Sequence, residues 1–331
     1  MGFRKRAMAV AAGVLLVWGL GVAAGGTINM DWVPVGNPGN APDTRYYGIS
    51  VGGVASNYNI GKYEVTNNQY VVFLNSVDAL GTNPYALYNG NMGSSYYGGI
   101  SFNGGAPNGA KYAARPGRGQ MPVNYVCFWD ACRFANWMNN GQGTGDTETG
   151  AYSLNGITNP PNGSISRNPG ANVFIPSEDE WYKAAYYKGG GINAGYWDYP
   201  TRSNTAPTAE GPPGTDLVNG SANYNFAVED LTNVGSYTSK PSASPYGTFD
   251  QGGNVWEWNE TTMIGSARGL RGGSFGDNGD GLRASSRGYG PPTDEADYLG
   301  FRVSEVPEPG TMALLAFGGI GMLVRRRGLG R

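Results

Sequence analysis

The chain has 331 residues, with 23 basic and 25 acidic side chains, a formal net charge of −2 and no histidine. That balance provides no basic field to hold nucleic acid, and the missing imidazole excludes Ser-His-Asp and Cys-His catalysis, histidine-ligated zinc and histidine-ligated iron. Only Cys127 and Cys132 occur, too few for a disulfide framework, while 22 Tyr, 11 Phe and 8 Trp supply core surface although 56 Gly and 21 Pro bring the composition close to the ~25–30% typical of low complexity.

Arg4, Lys5 and Arg6 precede an apolar run over 7–20 and the small residues Gly21, Val22, Ala23, Ala24 and Gly25. This order is that of a secretory signal peptide, residues 1–25, because the run falls short of the ~20 residues that span a bilayer and ends in residues that suit a peptidase. The body, 26–305, is long enough for one large domain or two small ones.

Three helices carry start signals. In "EVTNNQYVVFLNSV", Thr66 and Gln69 form a capping box, and Tyr70, Phe73, Leu74 and Val77 follow at helical spacing. "CFWDACRFANWMN" places Asp130 in its first turn and Ala131, Phe134, Ala135 and Met138 on one face. In "IPSEDEWYKAAYY", Ser177 and Glu180 make a second box and Trp181, Ala184 and Ala185 point inward. "YNIGKYEV" and "ANVFIPS" read as strands entering the first and third helices, and "NVWEWNE", "GLRGGSF" and "LGFRVSE" as late strands. Residues 81–120 are rich in Gly, Asn and Tyr with almost no periodicity, which predicts a long loop that binds or lacks order. Few helices and short strands imply an α+β domain.

The chain closes on Val306, Pro307, Glu308 and Pro309, an apolar run over 312–324, and Arg325, Arg326 and Arg327. Arginines after an apolar segment hold that end on the cytoplasmic side. This tail, 306–331, resembles the PEP-CTERM sorting signal. The resemblance implies an exosortase-type partner, transient membrane association through the tail, anchoring before processing, and delivery of the body to the cell envelope or extracellular matrix. A plain C-terminal membrane helix would equally leave the body outside the cytoplasm.

"YNIGKYEVTNNQYVVFLNSV", "MPVNYVCFWDACRFANWMN", "IPSEDEWYKAAYY", "SPYGTFDQGGNVWEWNE", "LRGGSF" and "LGFRV" occur in an order that resembles the formylglycine-generating enzyme (sulfatase-modifying factor) family over 28–303. The likeness implies a variant C-type-lectin-like fold, loop-rich and low in regular secondary structure. In the oxidase members of that family, two cysteines five residues apart follow the RGGS turn, bind copper(I) and begin the oxidation of a substrate cysteine. Thiolate softness is what suits them to Cu(I). Counting from Ser274 puts Asp277 and Leu282 at those places, so no copper is expected. Cys127 and Cys132 share the spacing but fall at the start of the second helix, where Cys127 reads as an N-cap and Cys132 as a small core residue. Five helical residues separate them by about 7.5 Å of rise and about 140°, so neither a disulfide nor a two-thiolate clip forms easily. The superfamily's other reaction, oxidative sulfur transfer onto a histidine derivative, uses histidine-ligated iron from an added helical domain, and this chain has neither.

The same likeness implies structural Ca²⁺ held by the carbonyls of Gly252, Gly253 and Val255 with the carboxylate of Glu257, and a second ion at Asn223 and Tyr224 with Asp230 as the nearest acid. Hard oxygens suit calcium. The alternative for Glu257 is that it accepts backbone N–H bonds in a loop. Arg271 and Arg302 are expected to tie loops to carboxylates such as Glu64, and Trp256 and Trp258 to anchor the core. Ser274, Asp277, Arg283 and Arg287 are the candidate lining of a groove for an acidic or peptide ligand. Two functions remain open. One is a noncatalytic lectin-like surface module binding a polysaccharide or protein, favoured by the missing thiols and histidine and by the tail; the other is an oxidoreductase related to the formylglycine-generating enzyme, acting on protein cysteine.

Overall fold

The computed structural model describes residues 26–46, 48–158 and 165–307. The expected signal peptide and the apolar part of the tail lie outside these residues. In chain order the elements are β1 (Trp32–Val35), β2 (Tyr58–Gly61), α1 (Asn67–Val77), α2 (Asn91–Ser94), β3 (Ile100–Phe102), β4 (Tyr112–Ala114), α3 (Phe128–Asn139), β5 (Val173–Phe174), α4 (Glu178–Tyr186), β6 (Thr208–Ala209), β7 (Ser221–Ala222), β8 (Trp256–Thr262), β9 (Arg268–Arg271), β10 (Gly288–Gly290), β11 (Leu299–Gly300) and β12 (Ser304–Glu305). Strands this short leave most of the body as loop, in keeping with the loop-rich α+β class. No helix of the described residues is long and apolar enough to cross a membrane.

The three long helices begin where their polar residues satisfy otherwise orphaned N–H groups. The Thr66 amide donates to Gln69 Oε1 at 2.9 Å, and the Ser177 amide to Glu180 Oε2 at 2.7 Å. At α3 a thiol occupies the N-cap position, and the Cys127 amide donates to Asp130 Oδ2 at 2.9 Å. Apolar faces then meet. Phe73 of α1 lies 5.4 Å from the rings of both Phe134 and Trp137 on α3, and Phe301 packs 5.3 Å from Phe134. Each such buried ring contributes roughly 1.5–3 kcal/mol by leaving water.

Two four-stranded sheets flank this core. The first, in the order β1-β2-β12-β5, is antiparallel throughout and inserts the last strand between two early ones, with Ser304 opposite both Ile60 and Phe174. The second runs β10-β9-β8-β11, with β11 parallel to β8. Only Phe301, Arg302 and Val303 separate β11 from β12, so these three buried residues join the sheets.

Residues 81–120 depart from the expected loop. They carry α2 and the β3–β4 hairpin, and Leu87, Met92, Ile100 and Tyr112 are buried in the main core. Periodicity missed this because the pieces are three or four residues long and meet through glycine. A Cβ on Gly99 would lie 2.1 Å from the Asn67 side chain, an approach no other residue permits.

Candidate functional site

The turn between β9 and the following loop is built by glycine, with Gly272 at φ 103° and Gly273 at φ 73°. Its far side is locked by Asp277. That carboxylate accepts from the Ser274 amide at 2.9 Å, the Ser274 hydroxyl at 2.6 Å and Trp256 Nε1 at 2.9 Å. Leu282, at the second place counted from the turn, is wholly buried against Tyr199, Ala222 and Tyr224, and its carbonyl accepts from the Tyr186 hydroxyl at 3.1 Å. A hydrogen-bonded carboxylate and a packed aliphatic chain therefore fill both places, and neither offers a soft donor.

The two thiols are elsewhere. Both are free and buried, and burial pushes each well above its ordinary pKa, which suppresses the reactive thiolate. Cys127 faces Asp130 and Glu295, and one ligand atom from each of the three lies within 4.8 Å of the others. Burial first, then the Glu295 charge, pushes Asp130 up to about 7, and burial raises Glu295 as well, so both carboxyls at the start of α3 keep their protons to higher pH than free ones do. Asp130 was legible as a first-turn acid; Glu295 had no signal, being brought in by a loop whose Pro292 carbonyl accepts from the Phe128 amide at 3.0 Å.

Each of the four candidate groove residues has a partner within the body. Ser274 and Asp277 bond each other, Arg283 stands over the Tyr199 ring at 5.9 Å with Asp198 at 3.7 Å, and Arg287 forks the Glu178 carboxylate at 2.7 and 2.5 Å. Arg271 shares that carboxylate from the buried side at 2.6 Å. Burial would raise Glu178, but the Arg287 and Arg271 guanidiniums outweigh it and hold the group below the usual carboxylate range.

Both carboxylates expected to hold calcium, Glu257 and Asp230, are already engaged by cationic and N–H donors. Arg302 forks both Glu257 oxygens at 2.6 Å and Trp181 Nε1 adds a third donor at 2.7 Å, so this carboxylate is neutralised and hydrogen-bonded within the chain. The bend that would offer the Gly252, Gly253 and Val255 carbonyls closes on Asn223, since the Asn254 amide donates to its carbonyl at 2.8 Å. In the second set the Tyr224 carbonyl accepts from the Ala227 amide at 3.1 Å, and Asp230 is held by Arg118 at 2.6 Å and by the Leu231 amide at 2.7 Å. Within this second set, Asn223 Oδ1 is a buried acceptor without a partner among the described residues. Arg302 and Arg271 do tie loops to carboxylates, Arg302 to Glu257 and Arg271 to Glu178, while Glu64, the example expected, has another partner. Glu64 accepts from Asn254 Nδ2 at 3.0 Å and is pushed well above its ordinary range by burial, then by Asp250 and Glu257. Trp258 is buried and donates to the Val126 carbonyl, and Trp256, half-buried, packs against the same core while its Nε1 donates to Asp277.

Comparison with known proteins agrees with this frame. Residues 24–306 match the sulfatase-modifying factor enzyme 1-like domain, and residues 305–327 match the PEP-CTERM protein-sorting motif. Proteins called inactive C-alpha-formylglycine-generating enzyme 2 from Mus musculus and Bos taurus are each 31% identical over 137 residues, 39% of this chain. The match spans 41% and 42% of those relatives' own lengths. Among solved structures, CarF superposes with a TM-score of 0.55 at 21% identity, covering 85% of this chain and 100% of its own. Treponema denticola variable protein 1 does so with a TM-score of 0.50 at 21% identity, covering 86% and 97%. At that identity both likenesses concern the fold.

Proposed function

The chain belongs to the sulfatase-modifying factor enzyme 1-like family, and from that premise we propose that it is a noncatalytic, lectin-like binding module of the cell surface. The sorting motif after the body marks it for recognition by an exosortase-type system and for export to the envelope or surface. The observation that carries the reading is Leu282, fully buried in an apolar cluster at a place where an oxidase needs a thiolate. Asp277 supports it, because a carboxylate fixed by three donors serves the turn. The relatives named inactive are consistent with it. No metal enters the reading.

The test is direct. Purified protein is incubated with copper(I), oxygen and a cysteine-containing sulfatase peptide, and the peptide is weighed by mass spectrometry. The expected spectrum holds unconverted cysteine. Appearance of the aldehyde would replace this reading with that of an oxidoreductase acting on protein cysteine.

A further inference from the structure

Four aromatic rings are linked in a row beside the closed turn, and the two at its ends reach the surface. Phe226 stands 5.9 Å from Phe275, Phe275 4.9 Å from Tyr97, and Tyr97 5.1 Å from Tyr96, so three separate loops contribute to one row. Phe275 is buried and Tyr97 half-buried, but the two ends project: Phe226 is 54% exposed and Tyr96 68%.

The backbone at one end is strained for this display. Asn225 and Phe226 adopt φ 55° and 54°, a left-handed conformation that a bulky residue avoids at a cost of roughly 1–3 kcal/mol. The turn holds them there, the Asn225 amide donating to the Asp277 carbonyl at 2.7 Å and the Phe226 amide to the Phe275 carbonyl at 2.8 Å. The Phe226 ring lies over Gly276, where a Cβ would come within 2.9 Å of it. Burial does not explain a strained backbone that leaves its ring half in water.

We propose that this row is a subsite for a neutral polysaccharide chain, its rings stacking on the C–H faces of pyranose units. The inference rests on the binding-module reading and names its ligand class. Size decides against a protein partner: the two projecting rings expose on the order of 250 Å², against about 800 Å² per side for a stable protein interface. Charge decides for neutrality, because Arg118, which stands over Tyr96 at 5.6 Å, is already paired with Asp230 at 2.6 Å. The exposed Asn225 side chain and the Tyr96 hydroxyl make no hydrogen bond to the described residues, which leaves an amide and a phenol beside the rings for sugar hydroxyls.

The experiment is affinity electrophoresis of the exported protein through gels containing cellulose-type, mixed-linkage or laminarin-type glucan, galactomannan, or polygalacturonate as the acidic control. At least one neutral gel is expected to retard the protein, and Phe226→Ala or Tyr96→Ala to weaken that retardation at least tenfold. Phe226→Asn separates display from stability, since asparagine tolerates the left-handed conformation: retardation falls while Tm does not. Retardation that survives all three substitutions, retardation by polygalacturonate alone, or no retardation in any gel overturns the subsite. Each of those outcomes leaves the noncatalytic reading standing, because only the aldehyde assay decides it.

Discussion

Arg302 and Glu257 form a two-pronged ion pair with both side chains at zero exposure, at the joint between the two sheets. Breaking it from one side strands a buried charge. Arg302→Met is expected to cost about 3–5 kcal/mol in urea unfolding, and Arg302→Met/Glu257→Met to recover most of that loss. Because Glu257 already has a cation, adding calcium or chelating it should move Tm by no more than about 1 °C. A calcium-dependent rise of several degrees would show that an ion competes with Arg302 for the carboxylate.

Leu282 should behave as core. Leu282→Ala is expected to cost about 2–5 kcal/mol, read from the urea midpoint, because Tyr199, Ala222 and Tyr224 collapse only in part onto the space left. A loss below 1 kcal/mol would mean that the place remains open to a ligand.

Gly253 is fixed by geometry. It sits at φ 89°, and a Cβ would fall 2.2 Å from the Asn223 carbonyl oxygen. Gly253→Ala should therefore cost about 2 kcal/mol or more and release the Asn254 amide from that carbonyl. Unchanged amide-exchange protection at Asn254 would contradict the close approach.

The contribution of Asp130 and Glu295 to stability should decline as pH rises, opposite in sign to that of Glu178, whose carboxyl is held low by its arginines. Asp130 and Glu295 titrate higher in the folded chain than the ~3.9 and ~4.3 of unfolded carboxyls, Asp130 near 7. Below about pH 4 both states hold these protons; above it the unfolded chain releases them first, so the contribution of this pair is greatest in acid and is lost as pH rises through about 7. Glu64 and Asp250, the latter pushed up to about 6 by burial, act in the same direction. Asp130→Asn and Glu295→Gln mimic the protonated forms and should flatten a plot of Tm against pH. An unaltered slope in both variants would show that these two carboxyls are not raised in the folded chain.

Much of the frame could be read locally. Thr66 with Gln69 and Ser177 with Glu180 announce their helices because a capping box is complete within four residues. Cys127 and Cys132 were legible as structural for a similar reason, since helix geometry alone sets them apart. Contacts between distant segments were not legible. Nothing near Glu257 marks Arg302 as its partner rather than a calcium ion, and nothing near Asp130 announces Glu295. The aromatic row needs three loops at once, and residues 81–120 conceal their hairpin because strands of three residues carry no period.

The position of β12 limits where the chain could be cut without loss of its first sheet. Its two residues are hydrogen-bonded between β2 and β5, while the sorting motif begins at residue 305. A protease cutting beyond Val306 would free the body with its first sheet whole. A cut only a few residues earlier would remove an interior strand and leave two raw edges facing each other, so maturation and unfolding lie within a single turn of backbone of one another.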